Sequence, residues 1–213
     1  MRLVLASTSP SRRAVLAAAH IRHEVIAPQV DEDAALVAAE AGGELDLPGK
    51  VSVLARAKAL DVAERLVADG GELPDYVLGC DSLFELDGVA LGKPHTPEVA
   101  RERLRHMAGR AGLLHTGHCL VVLRDGAVAN ILEAPRVSTV VVADLTDAEI
   151  DAYVSTGEPL HVAGSFTLEG YGGPFIERIE GDHHNVLGLS LPALRSLIAR
   201  TARSITELWQ STN

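Results

Sequence analysis

Four apolar residues, Leu3-Val4-Leu5-Ala6, pass directly into Ser7-Thr8-Ser9-Pro10. This change of pattern predicts a short buried strand that runs into a helix. Ser9 is a natural N-cap and Pro10 suits the first helical position, so a helix is expected over residues 11–19. Residues 23–27 read as a second extended segment. Residues 31–49 are acidic, and Gly42-Gly43 is expected to end a short helix or loop there. Val51, Leu54, Ala55, Val62 and Leu66, with the stem of Lys58, recur at helical spacing over residues 51–68, and Gly70-Gly71 stops the pattern. Residues 76–80 read as a strand. Asp87-Gly88 joins two apolar runs, residues 83–86 and 89–91, as a hairpin.

Thr96-Pro97 opens a helix expected to reach Met107. Arg124-Asp125-Gly126 separates residues 119–123 from 127–132 and predicts a second hairpin, and residues 137–142 are rich in β-branched side chains. Thr146 and Glu149 have the spacing of a capping box, with a helix to about Ser155 and stops at Gly157 and Pro159. A last helix follows Leu191-Pro192. Helices alternate with strands and hairpins are mixed in, which predicts an α/β fold with a mixed sheet.

A chain of 213 residues is enough for one large domain or two intimate lobes. Only 3% of it is aromatic, so Val, Leu, Ile and Ala must build the core. The formal net charge of −10 argues against binding a nucleic-acid polymer, which demands a basic face, but leaves room for one nucleotide in a local basic pocket. No apolar run approaches the roughly 20 residues that span a bilayer, and no signal peptide is expected ahead of the first motif. Cys80 and Cys119 lie in apolar segments and are expected to be buried thiols rather than a disulfide.

Three regions carry candidate chemistry. In Ser7-Thr8-Ser9-Pro10-Ser11-Arg12-Arg13, free backbone N–H groups at a helix start and two forked guanidinium groups suit an anion. Alternatively, the serines only cap the helix and the arginines are solvated. In Gly79-Cys80-Asp81-Ser82, a carboxylate at the end of an apolar strand suits a base or a metal ligand, or caps a loop. Lys93 precedes Pro94 and is held extended, and Lys58 lies on the apolar stripe of its helix, where it either snorkels or reaches an anion. Asp31-Glu32-Asp33 is either a solvated turn or a source of carboxylate for a divalent cation, for which Glu32 and Asp81 together suffice. The third region, from Ala163 to Leu189, holds glycines at 164, 170, 172, 173, 181 and 188 and so allows close backbone approach. No P-loop or dinucleotide fingerprint is present. His115 and His118 lack a third local ligand for zinc, and His183-His184 reads as loop surface.

In this order and spacing these pieces resemble the Maf-type nucleoside triphosphate pyrophosphatases over about residues 3–197. Leu5-Ala6-Ser7-Thr8-Ser9-Pro10-Ser11-Arg12-Arg13 is similar to the family's opening motif, Val30-Asp31-Glu32 to its acidic element, and Leu54-Ala55-Arg56-Ala57-Lys58-Ala59 to its lysine helix. Gly79-Cys80-Asp81-Ser82 with Gly88 and Gly92-Lys93-Pro94 is similar to the central motif. Ala163-Gly164-Ser165-Phe166, Glu169-Gly170 and Asn185-Val186-Leu187-Gly188-Leu189 are similar to the C-terminal motifs.

The resemblance implies a single domain over residues 1–213, with a twisted mixed sheet and two lobes around a deep nucleotide cleft, as in inosine triphosphate pyrophosphatases. It implies a cytoplasmic enzyme that uses a divalent cation such as Mg²⁺ or Mn²⁺, often forms a homodimer, and cuts a nucleoside triphosphate to monophosphate and pyrophosphate, with links to nucleotide clearance and to arrest of cell division. Ser7, Ser9, Arg12, Arg13, Lys58 and Lys93 would hold the phosphates. Glu32 and Asp81 would hold the metal, with Asp81 also acting on the attacking water, and Ser82 and Glu169 would meet base or ribose. Three positions depart from the family pattern: Ser82 stands for a common Thr, Glu169 for a common Gln and Val162 for a common Lys. Glu169 accepts hydrogen bonds where the amide both donates and accepts, which bears on base choice. The rival from another class is a non-catalytic nucleotide sensor in division control.

Overall fold

A computed structural model of the chain describes residues 1–210. β1 (Leu3–Ala6) leads into α1 (Pro10–Ala18), whose N-cap Ser9 accepts a hydrogen bond from the Arg12 amide. β2 (Glu24–Ile26), α2 (Glu32–Glu40) and α3 (Leu47–Asp69) follow, then β3 (Tyr76–Leu86) and β4 (Val89–Leu91). α4 (Pro97–Met107), β5 (Ala111–Arg124), β6 (Ala127–Glu133) and β7 (Arg136–Val142) come next. α5 (Asp147–Ser155) precedes short 3-10 turns, and β8 (Ile176–Glu180), α6 (His183–Val186) and α7 (Leu191–Ala199) complete the order. The strands form one mixed sheet in the order β2-β1-β3-β5-β7-β8, with β4 on β3 and β6 on β5. β1 pairs in parallel with β2 and β3, whereas both hairpins and the β7–β8 pair are antiparallel.

The chain divides into two compact units. The first comprises residues 1–81, 116–136 and 188–210. Its core sets Val4, Ala6, Val77, Cys119, Val121 and Leu123 from the strands against Ala55, Ala59, Val62 and Ala63 of α3. The small residues of α3 let it lie directly on the strands. A Cβ added to Gly79 of β3 would stand 2.2 Å from the Ala55 carbonyl oxygen, and one on Gly117 of β5 2.1 Å from the Val51 carbonyl oxygen. The second unit comprises residues 82–115 and 137–187. Phe84, Leu86, Met107, Leu114, Val140, Val142 and Phe166 form one of its clusters, with Phe84 and Phe166 edge to face at 5.4 Å. Ala100, Leu104, Ile150, Tyr153 and Val154 form another, between α4 and α5.

Several expected boundaries move. β3 is continuous through Asp81 and Ser82, where two separate strands were predicted, so Asp81 lies within a strand instead of at its end. The acidic stretch after β2 is a helix start: Asp31 caps α2 and Glu32 and Asp33 occupy its first turn, where the helix dipole favours them. α3 begins at Leu47 under the Asp46 cap, ahead of the predicted Val51. β5 begins at Ala111, eight residues before the predicted strand, and β8 was not predicted. The Asp87-Gly88 hairpin holds, with φ of 54° and 79° at its two central residues, as a type I′ turn requires. The capping box of Thr146 and Glu149 is present, and both cysteines are free and buried.

Candidate active site

Gly79 and Asp81 share a face of β3, because side chains alternate along a strand. Gly79 admits the backbone of α3 at Ala55 and Ala59, so Lys58, in the same turn, meets Asp81. The Lys58 Nζ donates to Asp81 Oδ1 at 2.6 Å and pairs with Glu32 Oε1 at 2.7 Å. Lys58 is only 8% exposed, so its ammonium depends on these two carboxylates for compensation. Glu32 is the first residue of α2 and is half exposed; Asp81 is mostly buried. Burial pushes the Asp81 carboxyl above the usual carboxylate value. Lys58 and Arg12 pull it back, and Glu32 adds to the rise.

The turn after β1 is organised around Ser7. Its buried Oγ accepts from the Ser9 amide at 3.1 Å and from Arg12 Nη1 at 3.3 Å, while Arg12 Nε donates to the Gly188 carbonyl at 2.8 Å. Arg12 is therefore a held group, aimed by two contacts. The first turn of α1 contains no acid to offset Arg12 and Arg13. The Arg13 side chain is exposed and has no hydrogen bond or ion pair among the described residues.

The first unit thus brings Ser7, Ser9 and Arg12 together at one helix start, and Lys58, Asp81 and Glu32 into one ion cluster. The remaining candidates belong to the second unit. Ser82 follows Asp81 in β3 and is partly buried. Lys93 is exposed in the extended segment between β4 and α4, beside the buried Pro94. Glu169 is exposed on the loop that follows the 3-10 turn Ala163–Ser165. Neither Lys93 nor Glu169 has a hydrogen bond or ion pair among the described residues.

Other titratable groups are structural. His118 is buried, accepts the Ser190 amide at Nε2 (2.8 Å) and donates from Nδ1 to the Ala134 carbonyl (3.1 Å). Burial, helped by the Arg12 charge, pushes its pKa down to about 4, so it is a neutral tether between β5 and the cap of α7. His115 instead pairs with Glu85 at 2.7 Å in the second unit, so the two histidines share no zinc site. Burial pushes the Cys80 thiol up to about 11, which removes it as a nucleophile. Asp182, His183 and His184 are the one group of three metal-ligating side chains gathered within 4.8 Å among the described residues. They open α6, where Asp182 caps the His184 amide at 3.0 Å. The sequence reading missed Glu158, whose carboxylate gathers three donors in the second unit. Its only local signal was Gly157-Glu158-Pro159, read as a helix stop.

With this geometry, the family model for Maf-like proteins matches residues 2–201. The chain belongs to that family. A nucleoside triphosphate pyrophosphatase of Leifsonia xyli is 52% identical over 98% of this chain and 97% of its own length. One of Saccharopolyspora erythraea is 50% identical over 98% and 97%. The solved structure of a nucleoside-triphosphatase (dITP/XTP pyrophosphatase) from Mycobacterium abscessus aligns with 94% of this chain and 94% of its own at 11% identity, with a TM-score of 0.36.

Proposed function

We propose that this chain is a nucleoside triphosphate pyrophosphatase that acts as one functional domain. It cuts the bond between the α and β phosphates and releases a nucleoside monophosphate and pyrophosphate. The observation that carries the reading is the Lys58–Asp81–Glu32 cluster, a buried cation shared by two carboxylates, in the unit that also holds the acid-free start of α1. Full-length relatives with about half of their residues identical carry the same activity in their names.

Arg12 and Arg13, with the Ser7 and Ser9 turn, take the phosphate oxygens, where forked donors and helix amides favour an anion. Lys58 adds charge that offsets the build-up on the leaving pyrophosphate. Lys93 is a further phosphate ligand. Asp81 accepts the proton of the attacking water. The water oxygen bonds to the α phosphorus, and the α–β bridging oxygen leaves with the pyrophosphate. A carboxyl raised by burial is a better base than an ordinary aspartate. Ser82 and Glu169 meet base or ribose, and Glu169, as a pure acceptor, favours base edges that present N–H donors.

Glu32 and Asp81 would hold a divalent cation. They are two hard oxygen donors that already converge on one cationic centre, and a triphosphate-bound Mg²⁺ takes only one or two protein carboxylates. When bound it polarises the phosphoryl group and lowers the pKa of water. A nucleotide sensor would keep the cations and need no group to take a proton from water, so Asp81 favours the enzyme.

The deciding experiment follows products from a panel of triphosphates with Mg²⁺ or Mn²⁺. Monophosphate and pyrophosphate in equal amounts are expected, with turnover abolished by chelator. Diphosphate plus orthophosphate, or binding without turnover across the panel, overturns the reading.

A further inference from the structure

The Glu158 carboxylate is the hub of a loop. It lies in the 3-10 turn Glu158–His161, and its Oε1 accepts from the Thr167 hydroxyl and, at 3.0 Å, from the Gly172 amide. Its Oε2 accepts the Tyr171 amide at 3.0 Å. The Tyr153 phenol, buried between α4 and α5, accepts the Thr167 amide at 3.1 Å. Residues 167–172 are thus fastened at one end to Tyr153 of α5 and at both ends to Glu158 of the turn that follows it. The fit is tight: a Cβ on Gly170 would stand 2.2 Å from Glu158 Oε2, and one on Gly172 2.5 Å from the Tyr153 hydroxyl. Burial works against the charge on Glu158, but the bonds from Thr167, Tyr171 and Gly172 outweigh it and hold the carboxyl below its usual value. Bonds to an ionised acceptor are roughly twice as strong as neutral ones.

The fastened loop spends none of these bonds on Glu169. That side chain stands exposed between the two fixed ends, with no hydrogen bond or ion pair among the described residues. A surface loop that merely closes a chain needs no carboxylate bonded three times to it. A loop that must present one acceptor at a fixed point does, because ordering it beforehand removes that cost from binding.

We propose that Glu158 is a positioning residue: it fixes the backbone on either side of Glu169 and so sets the discrimination between nucleobases. The inference rests on the reading that Glu169 meets the base. Glu158 touches no substrate, and its effect passes through the loop.

The test pairs a structural with a kinetic readout in the full-length protein. In Glu158→Gln, the Tyr171 and Gly172 amides should exchange hydrogen at least about tenfold faster than in wild type. The ratio of kcat/KM between the best and a poor triphosphate should fall to within about threefold of its value in Glu169→Ala, while kcat for the best substrate stays within about fivefold of wild type. Thr167→Val keeps the carboxylate and removes one bond, so it should move both readouts the same way by less, and it stands in if Glu158→Gln does not fold. Adding Glu158→Gln to Glu169→Ala should change the ratio no further. Slow amide exchange in both Glu158→Gln and Thr167→Val overturns the inference. So does a ratio that Glu169→Ala changes and Glu158→Gln leaves alone. A ratio that even Glu169→Ala leaves unchanged overturns the base reading itself, and the inference with it.

Discussion

At Asp81 two demands meet. The carboxylate must stay available to a water, yet it sits in a mostly buried strand where ionisation is costly. Lys58 and Arg12 supply the charge that limits this cost. Asp81→Asn keeps the shape and removes both the base and the anionic partner of Lys58, so kcat should fall below about a tenth of wild type, more than ~1.4 kcal/mol of transition-state stabilisation. A variant that retains more than that, with the fold intact by circular dichroism, would take catalysis away from Asp81. His118 makes a different prediction, about stability. The unfolded chain has an ordinary imidazole near 6.5, while the folded one refuses the proton until pH falls to about 4. The contribution is fully present above about pH 6.5 and is lost as pH drops from there to about 4, by roughly 3 kcal/mol in all. Urea unfolding at several pH values should show this slope in wild type and a flatter one in His118→Gln. Equal slopes would mean that His118 is protonated at its ordinary pH in the fold.

Among the elements, α3 does the positioning. Its approach to β3 at Gly79 sets where Lys58 falls, so Gly79→Ala should disturb both fold and site. The added methyl would stand against the Ala55 carbonyl and Ala59 amide, a clash expected to cost about 1–3 kcal/mol or more. Gly71→Ala has no heavy atom within 4 Å of the new methyl and should stay within about 0.5 kcal/mol of wild type. Equal melting temperatures and equal kcat/KM for the two variants would argue against the contact. This contact was not legible in the sequence, where Gly79 reads as one more small residue in an apolar run. What was legible had local causes: the Asp87-Gly88 turn, the Thr146 and Glu149 box, and Ser9 before Pro10. What was lost depended on distant partners. The first half of β5 carries His115, Thr116 and His118, and polarity hid the strand because Glu85, Ala134 and Ser190 satisfy the histidines from afar. Asp81 broke the apolar pattern of β3 for the same reason, since its partner Lys58 lies 23 residues away. The site residues could be gathered as a set by family resemblance, but the sharing of one ammonium by two carboxylates could not.

Across the whole molecule the charge is lopsided, with 29 acidic against 19 basic side chains and a net −10. Many surface cations are already matched to a neighbouring acid. Arg2 pairs with Glu24, Arg101 with Asp151, Arg105 with Asp147, Arg110 with Asp87, Arg178 with Glu180 and Arg203 with Glu207. A nucleic-acid duplex presents a phosphate about every 1.7 Å along its axis and needs an extended run of unmatched cations, because its affinity comes from releasing condensed counterions. A single triphosphate needs only a few cations in one place, and Arg12, Arg13 and Lys58 all belong to one unit. The protein should therefore distinguish nucleotide from polymer by the extent of the anion. At about 0.15 M salt, where charges beyond roughly 8 Å are screened, a DNA or RNA 20-mer at several-fold excess over protein should not slow triphosphate hydrolysis. Lowering the salt should not create inhibition either, because what the polymer then feels at longer range is the acidic majority of the surface. Competition by the 20-mer that strengthens steeply as salt falls would reveal a basic track and overturn this argument. Competition by pyrophosphate or a short polyphosphate is expected instead, since those anions fit the local cluster.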